Sequence, residues 1–241
     1  MKILRLCALA VLILASVQAP GRLQAQAQAA PLRPAILGRP MPDFTLSSLD
    51  GKEFSLSKLK GKNVLLVFPR GKVDDHWCQI CHYEYADLAE EEKLHGLRQK
   101  YNLEILFILP YDKGAVRHWV DIFPEQMAVI DGWKNPPADA SAGQKRFAEN
   151  VKRFLPKTFV IPKGNIPTPF PILVDAGQRV SKGLGLFTTN WDGSAVDQNV
   201  PTVYLLDASG TVRFKYLSQI TWDRPDAAYL EKVLDRLLSD K

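Results

Sequence analysis

Two cysteines three residues apart, in Trp77-Cys78-Gln79-Ile80-Cys81, have the clearest capacity for chemistry in this chain. Residues i and i+3 of a helix share a face one turn apart, close enough for a disulfide of ordinary geometry. At a helix N-terminus, free N–H groups and the helix dipole would stabilise a thiolate at Cys78. Cys81, one turn inside and more buried, is then the resolving thiol. Asp74 and Asp75 would raise the Cys78 pKa if close, and a protonated His76 would lower it. An inert staple is the competing reading, but so short a loop removes little chain entropy. A Zn²⁺ or Cu⁺ site built from Cys78, Cys81, His76 and His82 is a further reading. No second CxxC or HxxxH completes such a set. His95 and His118 are read as solvated or core histidines.

The elements around the pair must hold it at a helix start. The apolar run Asn63-Val64-Leu65-Leu66-Val67-Phe68 fits a strand buried on both faces. A polar connection, 69–76, comes next, and a helical pattern runs from Cys78 to about Tyr101, weakened at Gly96. A second buried strand spans 103–109, stopped by Pro110, and a helix over 113–123 ends at Pro124. Strand, dithiol helix, strand, helix is the start of a parallel sheet. Residues 131–142 read as a loop, 144–155 as an amphipathic helix and 156–169, rich in proline, as irregular. Further strands are expected near 170–175, 203–206 and 211–216, with a possible short helix at 180–184 and a closing helix over 225–238. Upstream, Asp50-Gly51 marks a hairpin turn, and Ser57 is a candidate cap for one helical turn.

The N-terminus reads as an export signal. Lys2 and Arg5 precede or interrupt an apolar run over 3–17, Pro20-Gly21 breaks it, and Ala25-Gln26-Ala27 offers a small-x-small cleavage site. The run is short for a membrane anchor. The expected organisation is a signal peptide at 1–27, a flexible lead-in at 28–37 and one domain at 38–241. The formal charge of +5 includes Lys2, Arg5 and Arg22, so the mature chain carries +2. That excludes a charge-driven nucleic-acid partner. Periplasmic or secreted placement makes a disulfide stable at rest unless a dedicated reductant opens it.

Three motifs carry a family resemblance across 38–240. They are Gly38-x-Pro40-x-Pro42-x-Phe44-x-Leu46 with Asp50-Gly51 and Leu56-x-x-Leu59-x-Gly61-Lys62, then Trp77-Cys78-x-x-Cys81 with Glu84, then Val200-Pro201-Thr202. Together they resemble the thioredoxin superfamily, in the redoxin branch of alkyl hydroperoxide reductase C, thiol-specific antioxidant proteins and exported thiol-disulfide oxidoreductases. The resemblance implies an α/β thioredoxin-like fold: a central mixed sheet flanked by helices, with an N-terminal β-hairpin extension and, here, an atypical insertion at about 131–169. It implies catalytic Cys78 and Cys81, and substrate contacts from Trp77, Val200 and Pro201. The Val200–Pro201 bond is expected to be cis, its loop offering backbone groups to the substrate. Asp75, His76 and Glu84 are expected to tune the thiols.

The resemblance implies an oxidoreductase with no cofactor and no metal. Its partners would be a protein disulfide or a peroxide, plus a thiol reductant, a membrane-bound one among the candidates. Disulfide exchange is the first expectation. Peroxide reduction, with Cys78 peroxidatic and Cys81 resolving, is the alternative. Gly71 and Asp75 stand where peroxiredoxins place Pro and Thr, which counts against the usual peroxide pocket. A non-enzymatic copper carrier is the third reading. No histidine comes after His118, where relatives with that role carry one.

Overall fold

The computed structural model describes residues 32–164 and 166–238. The expected signal peptide therefore lies outside the described residues. A seven-stranded mixed sheet organises the rest. In chain order its strands are β1 (Thr45–Ser48), β2 (Glu53–Ser55), β3 (Asn63–Phe68), β6 (Leu103–Leu109), β7 (Ile172–Val174), β10 (Thr202–Leu206) and β11 (Val212–Leu217). Across the sheet the order is β11-β10-β3-β6-β7-β1-β2. β3 pairs in parallel with β6, and β6 with β7, while β10, β11, β1 and β2 join antiparallel. Two small ribbons stand apart, β4 (Lys72–Val73) with β5 (His76–Trp77) and β8 (Phe187–Thr188) with β9 (Gln198–Asn199).

Strand β3 shows why both faces must be covered. Leu65 and Val67 join one core cluster, Val64, Leu66 and Phe68 another, as period-two alternation requires. The first face is covered by α1 (Gln79–His95), α2 (Leu97–Lys100), α3 (Lys113–Asp121) and the closing α7 (Ala227–Leu238). The second is covered by α6 (Arg179–Gly183) and the N-terminal segment. Within the expected lead-in, Ala35 is buried and Leu32 packs against this second cluster, while Ile36 and Leu37 are exposed.

Four expectations are corrected. Pro124 does not end a helix: it stands in the first turn of α4 (Phe123–Lys134), where its missing N–H costs nothing. Residues 131–134 therefore continue a helix, and the added unit is α4 plus α5 (Ala142–Phe154), with no regular element among the described residues from 155 to 169. Ser57 is not a helix cap; its N–H bonds the Asp43 carboxylate, and the 3-10 turn Leu56–Leu59 starts after Ser55. Pro225 precedes α7 rather than entering it. Asp226 caps that helix, its side chain accepting from Tyr229 N and its carbonyl from Leu230 N. Gly96 does break the long helix. It closes α1 in a left-handed conformation and donates its N–H to Glu92 O.

Candidate active site

Helix α1 is buried on nearly every side from Ile80 to Leu88, because the sheet, α4 and α7 all pack on it. Its N-cap is Cys78. The residue that sets this entry is Gly71, whose carbonyl accepts the Cys78 N–H at 2.8 Å. Gly71 holds φ at +89°, and a Cβ there would run into the Tyr111 ring, so only glycine fits. Residues 72–77 then form the β4–β5 hairpin, turning at Asp74 and Asp75, and return the chain to Cys78. The longer strand-to-dithiol connection is thus a folded ribbon.

Both thiols are free and buried, Cys78 at 1% exposure and Cys81 at 0%. The hydrogen bond from the Cys81 thiol draws the Cys78 pKa down to about 7. Burial opposes this, and the positive fields of Arg224 and then Arg70 assist it. Cys81 is pushed well above its ordinary value by burial and by the negative charge of Cys78. The two sulfurs are therefore driven apart into a nucleophile and a reserve thiol.

Two arginines that sequence reasoning gave no catalytic part supply this field. Arg70 is buried, with Nε donating to Gln198 Oε1 at 2.7 Å, Nη2 to the Trp191 carbonyl at 2.9 Å and Nη1 to Thr221 Oγ1. Its guanidinium lies over the Trp191 ring. Each of its three nitrogens donates a bond, as a buried charge demands. Arg224 differs. Its side chain is 7% exposed, and Nη1 bonds the carbonyls of Ile220 and Asp223. Nε and Nη2 have no partner. Glu84 lies opposite, one turn beyond Cys81, with Oε2 3.9 Å from Arg224 Nε and itself unpartnered. Burial raises the Glu84 pKa to about 8, Arg224 restraining the rise and Cys81 adding to it. Arg70 had a weak signal, a cation directly after a buried strand. Arg224 had none, lying in a polar loop before the last helix.

The expected tuning groups divide. Glu84 is at the dithiol. Asp75 and His76 are exposed on the hairpin, 3.3 Å from each other, and are not among the largest influences on Cys78. Trp77 is core rather than surface: it is buried and meets the Tyr111 ring edge-on at 5.1 Å. The Val200-Pro201 segment does run beside the chain that precedes the dithiol, since Asn199 N donates to Arg70 O and Gln198 bridges Gly71. Its peptide bond is not cis; among the described residues no cis bond occurs. Val200 N–H is spent on Leu186 O, the Val200 carbonyl on Thr202 Oγ1 and the Pro201 carbonyl on Ser218 N. The backbone groups expected to receive substrate are thus internally paired.

The histidines do not join the cysteines in a metal set. His82 is buried with Nδ1 at the Cys78 carbonyl and Nε2 at the Trp119 carbonyl, and burial depresses its pKa to about 4. Among the described residues, the ligand-like cluster that does assemble is Glu91, His95 and Glu231, far along α1.

The fold and this pair of thiols can now be set against known proteins. The sequence model of the Redoxin family matches residues 36–234. The chain belongs to the Redoxin family. It is 36% identical over 72 residues to the thiol-disulfide oxidoreductase ResA of Geobacillus thermodenitrificans strain NG80-2, a match covering 30% of this chain and 37% of that protein. Its fold is similar to a mutant peroxiredoxin 6 of Arenicola marina, with a TM-score of 0.52 and 16% identity over 86% of this chain and 76% of that one. It is likewise similar to Enterococcus faecalis AhpC, with a TM-score of 0.52 and 14% identity over 84% and 92%. At these identities the structural matches speak for the thioredoxin-like fold of this Redoxin chain.

Proposed function

We propose that this Redoxin chain is a thiol-disulfide oxidoreductase working through Cys78 and Cys81. The observation that carries it is the separation of the two thiols, one drawn to about 7 and its neighbour pushed well above the ordinary value. The Cys78 thiolate attacks a substrate disulfide, a Cys78–substrate bond forms, and one substrate thiolate leaves. Cys81 then gives its proton to the departed substrate thiolate and attacks Cys78 Sγ, releasing the second substrate thiolate. The protein loses two electrons and the substrate gains them. The local match to ResA supports this reading.

Peroxide reduction is the second reading, and a particular feature favours it. Arg224 keeps two buried donors free near a sulfur only 1% exposed, which a small oxidant reaches more easily than a protein does. There the Cys78 thiolate takes the terminal hydroxyl of the peroxide to become a sulfenic acid, hydroxide or alkoxide leaves, and Cys81 closes the disulfide with loss of water.

One set of variants separates the two. Cys78→Ser is expected to abolish reduction of insulin disulfides, and Cys81→Ser to trap a mixed disulfide visible by mass. Insulin reduction at the parent rate by Cys78→Ser sinks the first reading. Stoichiometric peroxide loss by the reduced parent, without insulin reduction, selects the second. Export belongs to the same proposal, with residues 1–27 removed and the chain placed in the periplasm or secreted. Among the described residues no helix is long and apolar enough to cross a membrane. Recovery of the chain from a periplasmic fraction at full-length mass counts against cleavage.

A further inference from the structure

Four aromatic rings lie together beside the dithiol without being buried. Trp222, in the loop before α7, stands 6.1 Å from Trp133 of α4, 6.0 Å from Phe147 and 6.3 Å from Phe154 of α5, centroid to centroid. Phe147 is 42% exposed and Phe154 47%. The helix has its own core stripe, Ala148, Val151 and Leu155, so these two phenylalanines are surplus to its packing. They stand seven residues apart, two turns, on one side of α5.

We propose that this aromatic face is where the protein disulfide substrate docks, and that the substrate carries an acidic segment with an apolar anchor beside its disulfide. The inference rests on the disulfide-exchange reading and names its substrate class. Charge selects the acidic partner. Helix α5 bears Lys145, Arg146, Lys152 and Arg153 against the single carboxylate of Glu149, which holds Lys152 at 3.1 Å. Arg153 lies over the Phe154 ring, placing a cation directly on the aromatic face. Of the α4 carboxylates, Glu125 is engaged by Lys163, and Asp131, which accepts only from the neutral Asn135, is one charge against the four cations of α5. By helical spacing Arg146 and Arg153 flank the phenylalanines, and arginines beside exposed aromatic rings are the surface an acidic, apolar segment complements.

Continuity with the reacting sulfurs selects a substrate rather than an unrelated partner. Trp133 and Trp222 pack against the same cluster that contains Cys78 and Cys81. Trp222 is two residues from Arg224, in a loop pinned by Thr221 to Asp192 and by Ser218 to the Pro201 carbonyl. A chain seated on these rings therefore touches the loop that supplies the guanidinium. With Cys78 only 1% exposed, a protein disulfide has to shift a neighbouring element to reach it, and this loop is the one the docked chain contacts.

The test uses two peptides with the same intramolecular disulfide ring, one flanked by Glu and Leu and the other by Lys and Leu. Bis(2-hydroxyethyl) disulfide, small, uncharged and without an aromatic ring, serves as control. The reduced parent should oxidise at least about tenfold faster with the acidic peptide at low salt, and the advantage should shrink as salt screens it. Phe147→Ser with Phe154→Ser should slow the acidic peptide about tenfold, the weight of a pair of interface anchors, and leave the rate with bis(2-hydroxyethyl) disulfide unchanged. Arg146→Glu with Arg153→Glu should reverse the peptide preference. Equal rates for the two peptides, or a double phenylalanine variant as fast as the parent, overturns the docking surface alone. A parent that reacts with neither peptide nor bis(2-hydroxyethyl) disulfide removes the exchange reading instead.

Discussion

The two ends of α1 hold similar residue types under opposite conditions. At the first turns, Cys78, Cys81 and Glu84 are buried, and the Arg224 beside them keeps two donors without partners. At the last turn, His95 sits 3.1 Å from Glu91 and 2.8 Å from Glu231, and Lys100 holds Glu231 and Asp235. Lys157 draws Asp87 and Glu90 into the same patch. As a set of ligand types alone, Glu91, His95 and Glu231 look more like a site than the dithiol does. The difference is satisfaction. Charges that hold one another near water have little left to offer a ligand. Buried groups left unpaired raise the energy of the resting state and lower it once charge arrives to meet them.

If that contrast is right, substitutions at the first end should move chemistry, and those at the last end should move only stability, slightly. Glu84→Gln is expected to act most strongly. Burial lifts the Glu84 pKa from 4.5 to about 8, so the folded state keeps a proton that the unfolded chain loses. This contribution is fully present below about pH 4.5 and is lost as pH rises to about 8. His82 works in the other direction, since its depressed pKa makes the folded state gain stability as pH rises from about 4 to 6.5. The difference between parent and variant isolates the carboxyl. Urea unfolding at pH 5 and pH 7 should show the parent losing stability relative to Glu84→Gln by a few kcal/mol. An equal difference at the two values would mean Glu84 is not held protonated.

Arg224→Gln comes next. Loss of its field should raise the Cys78 pKa by about one unit, worth about 1.4 kcal/mol, and cut the thiolate fraction at pH 7 about fivefold. Thiolate absorbance at 240 nm against pH reads this directly, and Arg224→Lys should restore most of it. A titration unchanged in Arg224→Gln would reduce Arg224 to a structural residue and weaken the contrast. In the parent, exchange rate should climb with a midpoint near pH 7, tracking the Cys78 thiolate. The smallest effect belongs to the other end. Glu231→Gln should cost about 0.5 kcal/mol, less at high salt, and leave the exchange rate and the Cys78 titration untouched. A changed titration there would show that α1 transmits charge along its length.

Much of the frame was legible because its signals are local. Strands β3 and β6 lie at 63–68 and 103–109, as their unbroken apolar runs between turn residues indicate. The dithiol was legible for the same reason: an i, i+3 cysteine pair carries its geometry with it. Helix α4 was not, because a proline stops one helix or opens another depending on the residues after it. Asp75 and His76 mislead because they neighbour Cys78 along the chain, while the β4–β5 hairpin carries them outward in space.

The sequence alone determined that this chain is an α/β protein with a redox-capable pair at a helix start, since periodicity and spacing are properties of neighbouring residues. Only the tertiary structure decided how reactive that pair is. Arg224 comes from the last loop, Arg70 from the end of β3 and the cover from α4 and α5. Electric fields and burial act through space, and no local pattern of residues records which distant side chains will share a low-dielectric site with Cys78.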